Sequence, residues 1–152
     1  MAEETQAILE FVSAILKGTG LNLQSEFEDG QSDATLLNFT GTDTGLLRAD
    51  NGELLDAIEH LINQVFNSRT SGEPKRIICD VEGFRAIREA ELKAMARHAA
   101  SIVRSSGKAF TFAPMNSNER RMIHLALSEE SDLVTESIGQ GTARRLCISL
   151  KP

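Results

Sequence analysis

Apolar residues recur at helical and strand spacing along residues 4–82 and predict an alternation of short elements. In chain order these are a helix over 4–17, strands over 21–28 and 34–40, a loop with one helical turn over 41–52, a second long helix from 53, and a strand over 76–81. Asp29-Gly30 predicts a turn between the first two strands, and 68–75 is a polar loop. The order α-β-β-α-α-β indicates a small α+β layer, with helices on one face of a sheet.

Two apolar stripes define the long helices of this first half. The first consists of Ala7, Ile8, Phe11, Ile15 and Leu16, with Gly18 as the expected stop. The second consists of Leu54, Leu55, Ile58, Leu61, Ile62, Val65 and Phe66, opposed by Glu53, Asp56, Glu59 and Asn63. Each stripe follows the 3.6-residue period, so we expect both to face the sheet.

The second half opens with a predicted helix over 84–104. Its expected buried face consists of Phe84, Ile87, Leu92, Met95, Ala96, Ala99, Ile102 and Val103. A short strand over 108–112, a helix over 116–128, and strands over 132–137 and 144–150 follow, the last two joined by a glycine-rich turn. This half is therefore also α+β, with helices packed on a three-stranded sheet.

The helix over 116–128 carries the most informative chemistry. Asn116 or Ser117 is suited to cap its start, with Glu119 in the first turn. We expect one face to be buried, made of Met122, Ile123, Ala126 and Leu127, and the opposite arc to be polar, made of Arg120, Arg121, His124 and Ser128. Guanidinium donors one turn from an imidazole suit a phosphate oxygen, while a solvated basic face is the alternative.

Charge is distributed unevenly along the chain, whose net charge is −6. Residues 1–68 hold 2 basic and 12 acidic side chains, a balance of −10, whereas residues 69–152 hold 14 basic and 10 acidic ones, a balance of +4. Such asymmetry predicts two modules with different surfaces, 1–82 and 83–152. Only the second could attract a polyanion by its net field.

Several classes of function lack their signatures. The candidate metal ligands His60, His98, His124, Cys79 and Cys147 have no zinc-type spacing, and both cysteines sit in apolar runs, which predicts buried, unpaired thiols. No phosphate-binding loop or catalytic triad is recognisable, so we expect neither cofactor nor catalysis. The acidic N-terminus and the absence of a long apolar run predict a cytoplasmic protein without membrane insertion.

Two motifs resemble the R-3-H domain, named for its Arg and His. They are Arg120-x-x-x-His124, framed by Pro114-Met115-Asn116 and by Arg121, and the later string from Val134 to Arg145. That family binds single-stranded nucleic acid. The resemblance implies that Arg120 and His124 meet phosphate or ribose, that Arg144 and Arg145 add backbone contacts, and that Gly139 and Gly141 form a tight turn between them.

The element order of the first half resembles a type II KH domain, and together the halves resemble the bacterial Jag family without its N-terminal domain. The family's Gly-x-x-Gly turn corresponds to Ala49-Asp50-Asn51-Gly52, preceded by Arg48. Ala49 replaces a glycine and Asp50 puts a negative charge where a phosphate would lie. We therefore expect this degenerate loop not to clamp RNA in the usual way, and this half to be a scaffold or a protein-contact module.

Other basic and aromatic side chains leave alternatives open. Arg85, Lys93, Arg97 and Arg104 along the long helix are either a track that extends an RNA surface or an exposed face with i,i+4 ion pairs. The chain has no Trp or Tyr, and we expect Phe110 and Phe112 to be core residues.

The sequence thus predicts a non-catalytic binder of single-stranded RNA and a post-transcriptional regulator. Single-stranded DNA stays open as a ligand. The alternative is a protein-interaction module whose acidic half docks a partner, and the resemblance implies pairing with a second copy or with another small KH protein.

Overall fold

The computed structural model describes residues 2–28, 35–67 and 76–152, so the predicted turn at Asp29-Gly30 and the loop 68–75 lie outside it. The chain forms two compact units, 1–85 and 86–152, which we call the first and the second unit. Both are small mixtures of helices and strands, which confirms the predicted α+β class.

The first unit follows the predicted order of elements. These are α1 (Ala2–Thr19), β1 (Leu23–Glu28), β2 (Thr35–Gly41), α2 (Thr44–Arg48), a 3-10 turn (Ala49–Gly52), α3 (Glu53–Asn67) and β3 (Ile77–Val81). The sheet order is β1-β2-β3, with β1 antiparallel and β3 parallel to the central β2. The stretch 41–52 is more helical than predicted, because Leu47 is fully buried and fixes α2 against the core.

The end of α1 differs from the prediction. The helix continues past Gly18 to Thr19, and Gly20, at φ 73°, terminates it. The Gly20 N–H binds the Lys17 carbonyl, and the Leu21 N–H binds the Leu16 carbonyl at 3.1 Å, the pairing that closes a helix through a left-handed residue. Gly18 therefore has no terminating role.

The buried stripe of α3 is narrower than predicted. Leu55, Ile58, Ile62 and Phe66 are buried, whereas Leu54 is 38% and Leu61 45% exposed. The sequence offers more apolar residues than the face in contact with the sheet can hold, so these two leucines lie on the solvent side.

Polar side chains of α3 lie on its sheet-facing side, beside the apolar ones. They bind the backbone groups along the edge of β3 that does not pair with β2. Asn63 accepts the Ile77 N–H at 3.0 Å and donates to the Ile77 carbonyl at 2.7 Å, and Glu59 accepts the Cys79 N–H at 3.0 Å. Arg85 donates to the Cys79 carbonyl at 2.6 Å. These bonds satisfy backbone groups that would otherwise be free to pair with another strand.

The second unit contains most of α4 (Phe84–Ser106), followed by four shorter elements and one 3-10 turn. These are β4 (Phe110–Thr111), α5 (Ser117–Ala126), β5 (Leu133–Ile138), the 3-10 turn Gly141–Ala143, and β6 (Arg145–Leu150). The sheet order is β4-β6-β5, antiparallel throughout. Phe112 is buried and Phe110 packs against the same core, with ring centroids 5.0 Å apart, as predicted.

The helices of this unit bury fewer large residues than predicted. On α4 the buried side chains are Leu92, Ala96, Ala99, Ala100 and Val103. Ile87 is 58% and Met95 39% exposed, and Phe84 packs against the core of the first unit instead. On α5, Ile123 is buried and Leu127 follows it, whereas Met122 is 39% exposed and Ala126 is also exposed. On α5 the buried residues Glu119, Ile123 and Leu127 follow i,i+4 spacing, so its buried stripe is narrower than predicted.

Candidate nucleic-acid interface

The start of α5 is capped as the sequence predicted. Asn116 is extended, at φ −69° and ψ 170°, and its side-chain oxygen accepts the Glu119 N–H at 2.9 Å. This bond satisfies one of the free N–H groups of the first turn and fixes where the helix begins. The residues of the Arg120-x-x-x-His124 motif therefore have a defined position along α5.

Glu119 itself is buried, which the sequence did not indicate. Its carboxylate accepts from Arg88 Nε of α4 at 2.8 Å, and Arg88 also binds the exposed Glu91 at 3.1 Å. Burial alone would lower the pKa of Arg88, but the hydrogen bonds to Glu119 and then to Glu91 outweigh it and raise that pKa. The ion pair holds α5 against α4.

Met115 connects Arg120 to the strand that follows the glycine turn. Arg120 Nη1 donates to the Met115 carbonyl at 2.6 Å, and the Met115 N–H donates to the Arg144 carbonyl at 3.2 Å. The side chain of Arg144 is exposed. Met115 therefore links the Arg120 side chain to the Arg144 backbone, although the two arginines are 24 residues apart in the sequence.

His124 lies one turn further along α5 and touches β5. Its Nδ1 is 2.5 Å from Thr135 Oγ1, and the imidazole is exposed. Thr135 is opposite Ile148 of β6, a fully buried residue, so it lies on the helix-covered face of the sheet. Arg121 is exposed on the neighbouring arc of α5.

Arg145 lies apart from this group. In β6 the buried residues are Leu146 and Ile148, so alternation directs Arg145 and Cys147 to the other face. Arg145 is opposite Ile138 in the register, and its Nε contacts the Ala143 carbonyl at 3.3 Å. The sequence grouped Arg145 with Arg144 and His124, but the pleat places its side chain on the face of the sheet away from α5.

The turn between β5 and β6 requires glycine at its first position. Gly139 has φ 84°, and a Cβ there would lie 3.2 Å from the Ala143 carbonyl oxygen. Gly141 has φ 55° but open space around it. Both positions favour glycine by conformation, and Gly139 also by the close approach of the backbone.

The arginines of the described residues fall into two groups, those paired with a carboxylate and those without an ion pair. In the first unit, each arginine that the structure describes is paired: Arg48 with Glu82, Arg76 with Glu59, and Arg85 with Asp56 and Glu59. In the second unit, Arg88 and Arg104 are paired. The remaining arginines of that unit have no ion pair to any described carboxylate, namely Arg97, Arg120, Arg121, Arg144 and Arg145.

Most of the basic residues predicted along one side of α4 are paired with carboxylates. Arg85 is paired as above, Lys93 binds Glu89 at 2.6 Å, and Arg104 binds Glu130 and Asp132. The hydrogen bond from Arg104 holds the pKa of Asp132 below its ordinary value. The predicted i,i+4 pairing is confirmed for Lys93 with Glu89, whereas Arg85 and Arg104 pair with carboxylates on other elements. Arg97 has no ion pair within the described ranges.

The degenerate loop of the first unit contains three consecutive residues with left-handed backbone. Ala49 has φ −60°, an ordinary value, so alanine imposes no strain there. The left-handed residues are Asp50 and Asn51, at φ 50° and 60°, followed by Gly52 at φ 84°. Arg48 binds Glu82 at 2.5 Å and forms no ion pair with the exposed Asp50.

The other candidate features among the residues that the structure describes are metal ligands, cysteines and membrane-spanning helices. No group of three or more His, Cys, Asp or Glu side chains is arranged to hold a metal ion there. Both cysteines are free, and burial, followed by the charge of Glu59, raises the pKa of the Cys79 thiol to about 12. Within the same residues, no helix has the length and apolar character needed to cross a membrane.

Sequence reasoning missed three residues that shape this interface: Arg88, Met115 as a backbone bridge, and Thr135. Each acts through a partner on another element. Spacing along a single helix could not indicate them, although the i,i+4 series Glu119, Ile123, Leu127 signals that Glu119 belongs to the buried face.

Comparison with known proteins agrees with the prediction made from the Arg and His motif. Residues 90–150 match the family model of the R-3-H domain. The chain is 30% identical to the RNA-binding protein KhpB of Clostridium symbiosum over 144 residues, which cover 94% of this chain and 64% of that protein. It is 33% identical to the RNA-binding protein KhpB of Bacillus subtilis (strain 168) over 132 residues, covering 80% and 63%.

A protein of the same name from Lactiplantibacillus plantarum is 30% identical over 99% of this chain and 47% of its own length. The chain thus spans between 47% and 64% of the length of these relatives. The likeness of the first unit to a KH domain stays a prediction. Residues 90–150 carry an R-3-H domain, as the Arg120-x-x-x-His124 motif predicted, and the chain is homologous to the proteins named KhpB.

Proposed function

We propose that the second unit binds single-stranded RNA through its backbone phosphates and carries out no reaction. The observation that carries this proposal is the set of arginines without carboxylate partners beside an exposed imidazole. A guanidinium already neutralised by a carboxylate gains little from a phosphate, whereas an unpaired one forms a new charge-assisted hydrogen bond. The match to the R-3-H domain and the names of the relatives support RNA as the ligand.

The proposed contact residues are Arg120, Arg121, His124 and Arg144. Arg121 and Arg144 are exposed and have no side-chain hydrogen bond to the described chain, so they are free to follow the strand. Arg120 uses one N–H on Met115 and keeps the others for a phosphate oxygen. The Met115 N–H donates to the Arg144 carbonyl, which keeps the Arg144 backbone near the start of α5. Arg145 lies on the other face of the sheet and is not part of this set.

Recognition of this kind has weak sequence preference. The chain has no Trp or Tyr, and the two phenylalanines of the second unit pack in or against its core. Without an aromatic platform, contacts to phosphate dominate, and these carry no sequence information. Single-stranded DNA is the natural comparison ligand. Such binding, without a cofactor, suits a regulator that acts on RNA after transcription.

The decisive experiment compares charge removal at unpaired and paired basic residues. Replacing Arg121 and Arg144 together with Ala should weaken binding of a single-stranded RNA roughly 100-fold, at about tenfold for each charge-assisted bond that is removed. The slope of log affinity against log salt should also fall by about 0.7 for each phosphate that is no longer bound. Lys93→Ala is the matched control, because that ammonium is exposed but already bound to Glu89.

Equal affinity and equal salt slope for the double variant and the Lys93→Ala control would rule out the proposed surface. A nuclease assay on the same samples checks the non-catalytic part of the proposal. RNA cleavage that disappears in a His124→Ala variant would contradict it.

A second candidate function concerns the first unit. Its described arginines are all paired, and Asp50 is exposed at the tip of the degenerate loop, so this unit suits a protein partner better than a polyanion. The partner would be a second copy or another small KH-like protein. Light scattering after nuclease treatment tests it, and a monomer at all concentrations, with no stoichiometric co-purifying protein, contradicts it.

A further inference from the structure

The two ring nitrogens of His124 have different surroundings. Nδ1 is 2.5 Å from the hydroxyl oxygen of Thr135 on β5. Nε2 has no hydrogen-bond partner among the residues that the structure describes, and the ring is exposed. An imidazole held at Nδ1 by the sheet presents Nε2 on the opposite side of the ring, away from β5.

The hydrogen-bonding needs of the Thr135 hydroxyl favour one of the two neutral tautomers of His124. Thr135 is half-buried, and within the described chain the one hydrogen-bond partner of its hydroxyl is His124 Nδ1. If the neutral ring carried its proton on Nδ1, the hydroxyl would accept and its own proton would have no protein acceptor. Donation from Thr135 to Nδ1 satisfies both groups and leaves the ring proton on Nε2.

We propose that Thr135 is a positioning residue for RNA binding, which holds His124 so that Nε2–H is a hydrogen-bond donor directed at a phosphate oxygen. This inference rests on the proposed function of the second unit. When the ring is doubly protonated, Nδ1–H donates to the hydroxyl and Nε2 still carries a proton. His124 therefore donates to the strand in both of its charge states, unlike a histidine whose free nitrogen is a lone pair.

The position of Thr135 in the sheet makes the arrangement rigid. It lies opposite Ile148, which is fully buried in the core of the second unit, on the face covered by α5. His124 is on the same helix as Ile123, also fully buried. Core neighbours thus fix the backbone at both positions, so the two side chains meet without any movement of the helix or the strand.

The first arm of the test needs no RNA. Long-range proton–nitrogen NMR spectra of the intact chain report the tautomer of His124 in the wild type, Thr135→Val and Thr135→Ser. We expect the Nε2–H form in the wild type and in Thr135→Ser, and a mixture of tautomers in Thr135→Val. An Nδ1–H wild type, or an unchanged tautomer in Thr135→Val, overturns the inference.

The second arm measures affinity for a single-stranded RNA. Thr135→Val should weaken binding roughly three- to tenfold, Thr135→Ser should restore it to within about twofold, and Thr135→Val should have no further effect in a His124→Ala background. Hydrogen exchange in β6 checks that the variants remain folded. If the wild type does not bind RNA, the proposed function is wrong, and the tautomer of His124 still shows whether Thr135 orients the ring. A Thr135→Val variant that binds RNA as tightly as the wild type defeats the inference alone.

Discussion

The ion pair between Arg88 and Glu119 allows a sharp test of what holds α5 in place. Arg88 has two carboxylate partners that differ in burial: the Glu119 side chain is 6% exposed and that of Glu91 is 56% exposed. Replacing Arg88 with Ala leaves the Glu119 carboxylate buried, with no other side-chain partner among the described residues. Replacing Glu91 with Gln removes only the exposed half of the arrangement.

The expected magnitudes follow from this difference. Removing one partner of a buried ion pair costs about 3 to 5 kcal/mol. Because the Arg88 side chain is itself 19% exposed, water screens the pair in part, and we expect about 3 kcal/mol for Arg88→Ala. Glu91→Gln should cost less than about 1 kcal/mol, as for other exposed pairs.

Hydrogen exchange is the suitable assay, since the chain has neither Trp nor Tyr as a fluorescent probe and its two units need not unfold together. Amides of β6, the central strand of the second sheet, report the opening of the second unit. At about 1.4 kcal/mol per factor of ten, Arg88→Ala should speed their exchange roughly 150-fold. Equal acceleration by Arg88→Ala and Glu91→Gln would show that burial of Glu119 does not govern the stability of this unit.

Three further predictions concern single positions. Gly139→Ala should destabilise the second unit by about 2 kcal/mol, and Gly141→Ala by about 1 kcal/mol. Both substitutions put a side chain on a left-handed residue, but only a Cβ at position 139 lies 3.2 Å from a carbonyl oxygen. Hydrogen exchange of β6 amides measures both costs, and equal costs would show that this contact has no effect. Asn63→Ala removes the hydrogen-bond partner of the Ile77 N–H and of the Ile77 carbonyl, and should destabilise the first unit by about 2 kcal/mol. Hydrogen exchange of β2 amides measures this loss, and an unchanged exchange rate would contradict the prediction. Cys79 should resist alkylation at pH 8 until the first unit unfolds, which mass spectrometry of native and urea-treated samples detects; rapid labelling of the native chain would contradict its burial. Its folded pKa of about 12 exceeds the unfolded value of 9.0, so its contribution to stability is complete below pH 9 and is lost between about pH 9 and 12.

The pattern of neighbouring residues was sufficient to predict the helices and strands and to recognise the Arg and His motif. Apolar periodicity predicted the order of helices and strands in both units, since that period depends only on neighbouring residues. The Arg120-x-x-x-His124 spacing needs one turn of a single helix, so it was recognisable from the chain alone and agrees with the match to the R-3-H domain. The cap at Asn116 was predictable for the same reason.

Which apolar side chains are buried could not be predicted with the same success. Leu54 and Leu61 belong to an unbroken apolar stripe, yet both are exposed, because Asn63 and Glu59 take part of the sheet side of α3. Met122 is exposed for the corresponding reason, with Glu119 buried on the neighbouring arc of its helix. A polar side chain displaces an apolar one only when a partner on another element meets it.

The sequence by itself determined the α+β class, the order of elements, the uneven charge and the presence of the Arg and His motif, because each depends on residues that are close along the chain. The tertiary structure alone decided which arginines are neutralised, since Arg88 and Glu119 are 31 residues apart. It also decided the face on which Arg145 lies, which follows from strand register, and the contact of His124 with Thr135. Ion pairs, register and ring orientation form between elements that only folding brings together.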